Sequence, residues 1–89
     1  MKTEFRKSFS RDLKRRKKDH LFLNNVKKII EEVDKVKSIT DITNLKNLKG
    51  NSEFYRIRFG DYRVGVKIKS DRVIFIRALH RKDIYRYFP

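Results

Sequence analysis

The clearest pattern in the chain lies over residues 55–69, where apolar and charged residues alternate with a period of two. That period marks a strand with one face on a core and the other in water. Gly60-Asp61 interrupts the alternation with a two-residue turn of the kind that closes a hairpin. With those two residues as the loop, Phe59 faces Tyr62, Arg58 faces Arg63, Ile57 faces Val64 and Arg56 faces Gly65. The period then sends Tyr55, Ile57, Phe59, Tyr62, Val64, Val66 and Ile68 to a core. It sends Arg56, Arg58, Arg63, Lys67 and Lys69 to the opposite face. Two arginines directly opposed across a strand pair repel. Cations gathered around a small residue, Gly65, form either a solvated basic face or a site for an anion.

The rest of the chain carries the helical period. Phe22, Val26, Ile29, Ile30, Val33 and Val36 line one side of an amphipathic helix, and Asp19 can cap its start. Phe9 and Leu13, four apart, predict a shorter helix over 9–17 with Ser8 as its N-cap. The two make a helical hairpin able to cover one face of a sheet. His20, at their junction, reads as exposed or capping. Residues 2–6 have Phe5 as their only large apolar side chain and are either a short first strand or a lead-in. Residues 38–52 have loop composition. Ile39, Ile42, Leu45 and Leu48 recur there every three positions, which predicts a loop that packs down and holds a short helical turn. Ser70-Asp71 is a second turn. Residues 73–79, almost continuously apolar, predict a central strand covered on both faces. Residues 80–89 read as a helical turn folding back on the sheet, with Tyr87 and Phe88 as a hydrophobic latch or as an exposed aromatic tail able to stack on RNA.

Composition narrows the function. The 89 residues carry a net charge of +14, which favours a polyanionic partner. Charged residues, at 40%, outnumber hydrophobic ones at 38%, yet 7 Phe and 4 Tyr argue for a folded domain over disorder. There are no repeats and no linker, so a single domain over 1–89 is expected. The absence of cysteine excludes disulfides and thiolate metal sites and fits a reducing, cytoplasmic setting. Two distant histidines make no structural zinc site. No apolar run is long enough to span a bilayer, so no membrane partner is expected. The run Lys14-Arg15-Arg16-Lys17-Lys18 is a solvated helix face, a phosphate-attracting patch, or both.

Four motifs in order then carry a resemblance. Leu48-Lys49-Gly50, Tyr55-Arg56-Ile57-Arg58, Gly60-Asp61-Tyr62-Arg63-Val64 and His80-Arg81-Lys82-Asp83-Ile84-Tyr85 resemble the RelE/ParE family of toxins from bacterial and archaeal type II toxin–antitoxin systems. The likeness spans nearly the whole chain. It implies an α+β fold, with a helical hairpin on a mainly antiparallel sheet of about four strands and a short C-terminal helical turn. For the RelE branch it implies a metal-independent endoribonuclease that cuts mRNA on the ribosome by attack of the substrate's own 2′-hydroxyl. No cofactor is implied, and the partners implied are a cognate antitoxin, the ribosome and mRNA. For the ParE branch it implies inhibition of DNA gyrase without cleavage.

The resemblance also names residues. Arg56, Arg58 and Arg63 match basic positions of the family's active face, and Arg81 matches an arginine at the scissile phosphate. Tyr85 matches a tyrosine that stacks on a base or takes part in proton transfer. His80 is the nearby group with an ordinary pKa close to neutrality, the natural general acid or base. Lys14, Arg15, Lys49 and Lys67 are candidate RNA contacts. The chain departs from its relatives where some carry a carboxylate base just before the Leu-Lys-Gly stretch, because Lys46-Asn47 stands there. Arginines also replace the lysines that other members place in the first hairpin strand. Asp83 is a possible carboxylate, with a capping role as its alternative.

Overall fold

The computed structural model describes residues 1–48, 50 and 53–89. A first strand, β1 (Lys2–Phe5), leads into α1 (Lys7–Arg15) and α2 (His20–Lys35). A 3-10 turn at Ile39–Asp41 precedes β2 (Leu45–Asn47). The hairpin follows as β3 (Phe54–Phe59) and β4 (Tyr62–Lys69), then β5 (Arg72–His80) and α3 (Arg81–Tyr87). The described strands form one sheet in the order β1-β5-β4-β3-β2. All neighbours run antiparallel except β1 and β5, which are parallel. The α+β class and mainly antiparallel sheet agree with the sequence. Among the described residues the sheet has five strands, beside the expected number of about four.

The hairpin register is the expected one, with Phe59 opposite Tyr62, Arg58 opposite Arg63 and Arg56 opposite Gly65. Gly60 takes a φ of 56° in the turn, a left-handed value that suits a residue without Cβ. Ile57, Val64 and Val66 are fully buried beneath the helices, while Tyr55, Phe59 and Tyr62 pack at the margin of the same core. From the helices, Phe9, Phe22, Val26 and Val33 fill it. Asp19 caps α2 as predicted, its Oδ1 accepting from the Phe22 N–H at 3.0 Å. None of the helices is long and apolar enough to cross a membrane among the described residues.

Ser8 has a different task from the cap expected of it. Arg6 occupies the N-cap of α1 and makes no side-chain cap. The Ser8 hydroxyl instead donates to the Ile76 carbonyl at 2.6 Å. One helical turn on, Asp12 accepts from the Ala78 N–H at 2.9 Å and pairs with Arg77 through two hydrogen bonds. These residues lie beyond the end of β1, where β5 has an open edge. Ser8 and Asp12, four apart on one helix face, therefore satisfy backbone groups that a longer β1 would have bonded.

The bonded segment of β5 is irregular. Gly65 pairs with Arg77 and Val66 with Phe75, so Ile76 is an extra residue opposite the Gly65/Val66 step. The bulge shifts the phase of the strand. Val73 and Phe75 point into the core before it, and Ala78 does so after it. This is why the apolar run reads as covered on both faces. Coverage of the second face is local: α3 packs on β4 and β5 there, burying Ile84 and Phe88.

Two further expectations change. Residues 38–52 contain the predicted helical turn, but also β2, which pairs Lys46 with Arg56. The space over Gly65 is filled by Phe88. A Cβ on Gly65 would lie 2.7 Å from three carbons of that ring, so the missing side chain makes room for packing and not for an anion.

Candidate functional site

The second face of the sheet is divided by α3. Its start is fixed by a cap from His80, whose Nδ1 accepts from the Lys82 N–H at 3.1 Å. The Arg81 N–H donates to the Asp61 carbonyl at 2.7 Å, tying the helix to the hairpin turn. Asp83, weighed above as a cap, sits in the first turn of α3, where a negative charge suits the helix dipole. Ile84 and Phe88 face down onto the sheet, and Phe54 meets the Phe88 ring edge-on at 5.7 Å.

Beside this apolar patch lies a cleft of about 270 Å³ lined by Arg56, Arg58, Arg63, Lys46 and Asn44. It continues past Arg56 and Lys46 into a second hollow of about 310 Å³, walled by Tyr85, Phe88 and Pro89. The three hairpin arginines are thus brought together. The Arg56 guanidinium lies 4.8 Å from the centre of the Tyr85 ring, within cation–π range. Arg63 folds back on its own turn, its Nη1 donating to the carbonyls of Gly60 at 3.1 Å and Tyr62 at 2.8 Å. Those bonds offset the repulsion from Arg58. Arg81 pairs loosely with Asp61, Nε to Oδ1 at 3.8 Å, with both side chains exposed.

The electrostatics show how close the group is. The Arg63 guanidinium is pushed below its ordinary range, first by partial burial and then by the charges of Arg56 and Arg58. Arg81 pushes the same way and Tyr85 opposes. A guanidinium so crowded by other cations is stabilised by a bound anion.

The other candidates are less closely placed. His80 stands opposite Tyr62 and meets its ring edge-on at 5.6 Å, so it turns toward the helix-covered side. Its Nδ1 is engaged in the cap, which leaves Nε2. Lys67 lies over Phe54 at 5.7 Å and 3.8 Å from Glu53, away from the arginine cleft. Lys14 and Arg15 are exposed on α1. Lys49 lies outside the described residues.

Sequence reasoning missed Lys46 as a wall of the cleft. Its apolar neighbours Leu45 and Leu48 fit a three-residue repeat, which hid a three-residue strand. The available signal was Lys46-Asn47, standing where the resemblance places a carboxylate in some members of the family.

A positively charged cleft thus lies on one face of the described α+β sheet, with two helices on the other. The family model for the ParE toxin of type II toxin–antitoxin systems matches residues 3–85, and the chain belongs to this RelE/ParE family of toxins. Over 90 residues it is 44% identical to Toxin RelE3 of Methanocaldococcus jannaschii, with all of both chains covered. The fold is similar to a chain in the RelB-RelE antitoxin–toxin complex of Methanococcus jannaschii, with a TM-score of 0.77 and 40% identity. That match covers 97% of this chain and 99% of the other. YafQ from E. coli shares the fold at a TM-score of 0.66, with 15% identity over 93% of this chain and 96% of its own.

Proposed function

We propose that this toxin is an mRNA endoribonuclease of the RelE branch, acting in the cytoplasm on ribosome-bound message and held inactive by a cognate antitoxin. The carrying observation is the convergence of Arg56, Arg58 and Arg63 in one cleft beside Tyr85, with Arg81 near enough to act on Arg63. Transfer within RNA forms a bond from O2′ to phosphorus and breaks the bond to O5′. The transition state gains negative charge on the phosphoryl oxygens. Preorganised guanidiniums answer that charge without reorganising. Tyr85 offers an exposed ring to a base. The proton leaving O2′ and the one reaching O5′ need carriers other than arginine. The Lys46 amine opposite Arg56 and the Tyr85 hydroxyl are the groups on the cleft's own side, whereas His80 faces the helix-covered side. The cation set supplies what a metal would supply, so the reaction runs without one.

The test is to induce the toxin and map RNA ends, then repeat the reaction on purified ribosomes programmed with message. Cuts within translated codons, leaving a 2′,3′-cyclic phosphate and a 5′-hydroxyl, are expected. They should persist in chelator when the ribosomal complexes stay intact. Chains ending in 3′-hydroxyl groups would refute internal attack. DNA breaks with intact mRNA would assign the gyrase reading instead. Co-expression with an acidic, amphipathic product of an adjacent gene should relieve growth arrest.

A further inference from the structure

Tyr85 and Tyr87 are two positions apart on α3, which separates them by about 200° around the helix axis. They therefore stand on opposite flanks of the helix. Both are exposed, Tyr85 to 71% and Tyr87 to 51%. Each is backed by an arginine from the sheet. Tyr85 has Arg56 at 4.8 Å, and Tyr87 has Arg77 at 5.5 Å. The first pair belongs to the cleft already described. The second opens on another cleft of about 700 Å³, lined by Arg11, Arg15, Arg16, Arg77, Asp83 and Tyr87.

Arg77 is an unusual wall for a surface cleft. Its Nε and Nη2 donate to the two oxygens of Asp12 at 2.8 and 3.0 Å, and Asp12 is only 3% exposed. The paired hydrogen bonds hold the guanidinium plane fixed. They also raise its hold on the proton, against the effect of burial. Nη1 has no partner among the described residues and remains a donor. The Asp12–Arg77 pair is neutral as a unit, so Arg11, Arg15 and Arg16 outweigh Asp83 in setting the sign of the cleft. The result is a fixed guanidinium under an exposed ring, with Arg11 and Arg15 exposed beside it and Arg16 held by the Tyr62 hydroxyl at 3.2 Å.

We propose that this second cleft is a subsite for single-stranded RNA, in which one base stacks on Tyr87 while Arg11, Arg15 and Nη1 of Arg77 take an adjoining phosphate. Aromatic rings beside a basic track are how proteins hold single strands without reading sequence. Two features favour RNA over an acidic peptide. Carboxylates would use the arginines but have no use for the face of Tyr87. The two Arg-backed tyrosines also lie on the two sides of one short helix, so a strand leaving the first cleft over α3 meets the second. The subsite rests on the RNA-cleaving reading above and extends it to nucleotides that do not react.

The experiment uses a 12-nucleotide RNA with 2′-deoxy substitution, which cannot be cleaved, and reads binding by fluorescence anisotropy. A second arm places 5-iodouridine along the strand and maps photocrosslinks by mass spectrometry. Tyr87→Leu should keep the fold by thermal melting and weaken binding about tenfold, the scale of one lost stack. Arg11→Gln should weaken it less and flatten the salt dependence. Crosslinks should appear on both Tyr85 and Tyr87, from nucleotides at different positions. Unchanged affinity in Tyr87→Leu, or crosslinks confined to Tyr85, would overturn the subsite while leaving the nuclease intact. If Tyr87→Leu binds RNA normally but loses affinity for polyglutamate, the cleft belongs to an acidic protein and the subsite is again refuted. If the unaltered toxin neither binds RNA nor cuts message on ribosomes, the functional reading falls, and the subsite falls with it.

Discussion

The two faces of this sheet are made from the same strands and have opposite physics. Under α1 and α2, alternate residues of β3, β4 and β5 are apolar and buried, with Ile57, Val64, Val66 and Phe75 at 1% exposure or less. On the other face the intervening residues include Arg56, Arg58 and Arg63, and apolar cover comes from the short α3 with Phe88, which meets Phe54. The first face gives the domain its stability. The second holds cations close together at some cost to stability, and an anion makes that arrangement favourable. Period two lets one hairpin do both, because a substitution on one face leaves the other side of the strand unaltered.

That separation can be broken at graded cost. The largest expected effect is Phe75→Ala on the helix face. Phe75 is fully buried and packs against Phe5 and Phe9, each with ring centres 5.3 Å away. Its truncation should cost about 3–5 kcal/mol in chemical unfolding, and activity should be lost with the fold. Next is Arg63→Gln on the other face. It gives up bonds to two turn carbonyls and also the repulsion of Arg58, so stability should move by less than about 1 kcal/mol. Cleavage should nonetheless fall about 10²–10³-fold, the usual loss for one donor to a charged transition state. If Arg63→Gln unfolds the protein, the two faces are not separable. If it cleaves normally, the arginines are only a solvated surface. The smallest is Gly65→Ala, which links the faces. Its new methyl would press on Phe88 and should cost about 1–3 kcal/mol as overpacking. It should also loosen the end of α3 and raise KM more than it lowers kcat, by displacing Tyr85.

The hairpin, α2 with its Asp19 cap and the family likeness were legible because each rests on a pattern internal to one segment. The arginine face followed from the hairpin register alone. What was not legible depended on contacts between distant segments. Nothing near Ser8 or Asp12 shows that they will serve the open edge of β5. The one clue was a lone acid, Asp12, within a basic helix. The bulge at Ile76 was hidden because the residues around it are apolar in either phase. β2 was hidden because three residues are too few to show a period. The role of Gly65 could not be seen without Phe88, which lies 23 positions later in the chain and lands on it.

The pairing of β1 with β5 has a consequence for how the toxin is made. Lys2 pairs with Arg72 and Phe5 with Phe75, so the first strand to leave the ribosome must wait for the last. Contacts this far apart in sequence form late, after the chain between them has closed. Arg81 and Tyr85 are translated later still. A nascent chain therefore lacks both its completed sheet and one of its four clustered arginines until these segments are made. An antitoxin already present has that interval in which to meet the unfinished toxin.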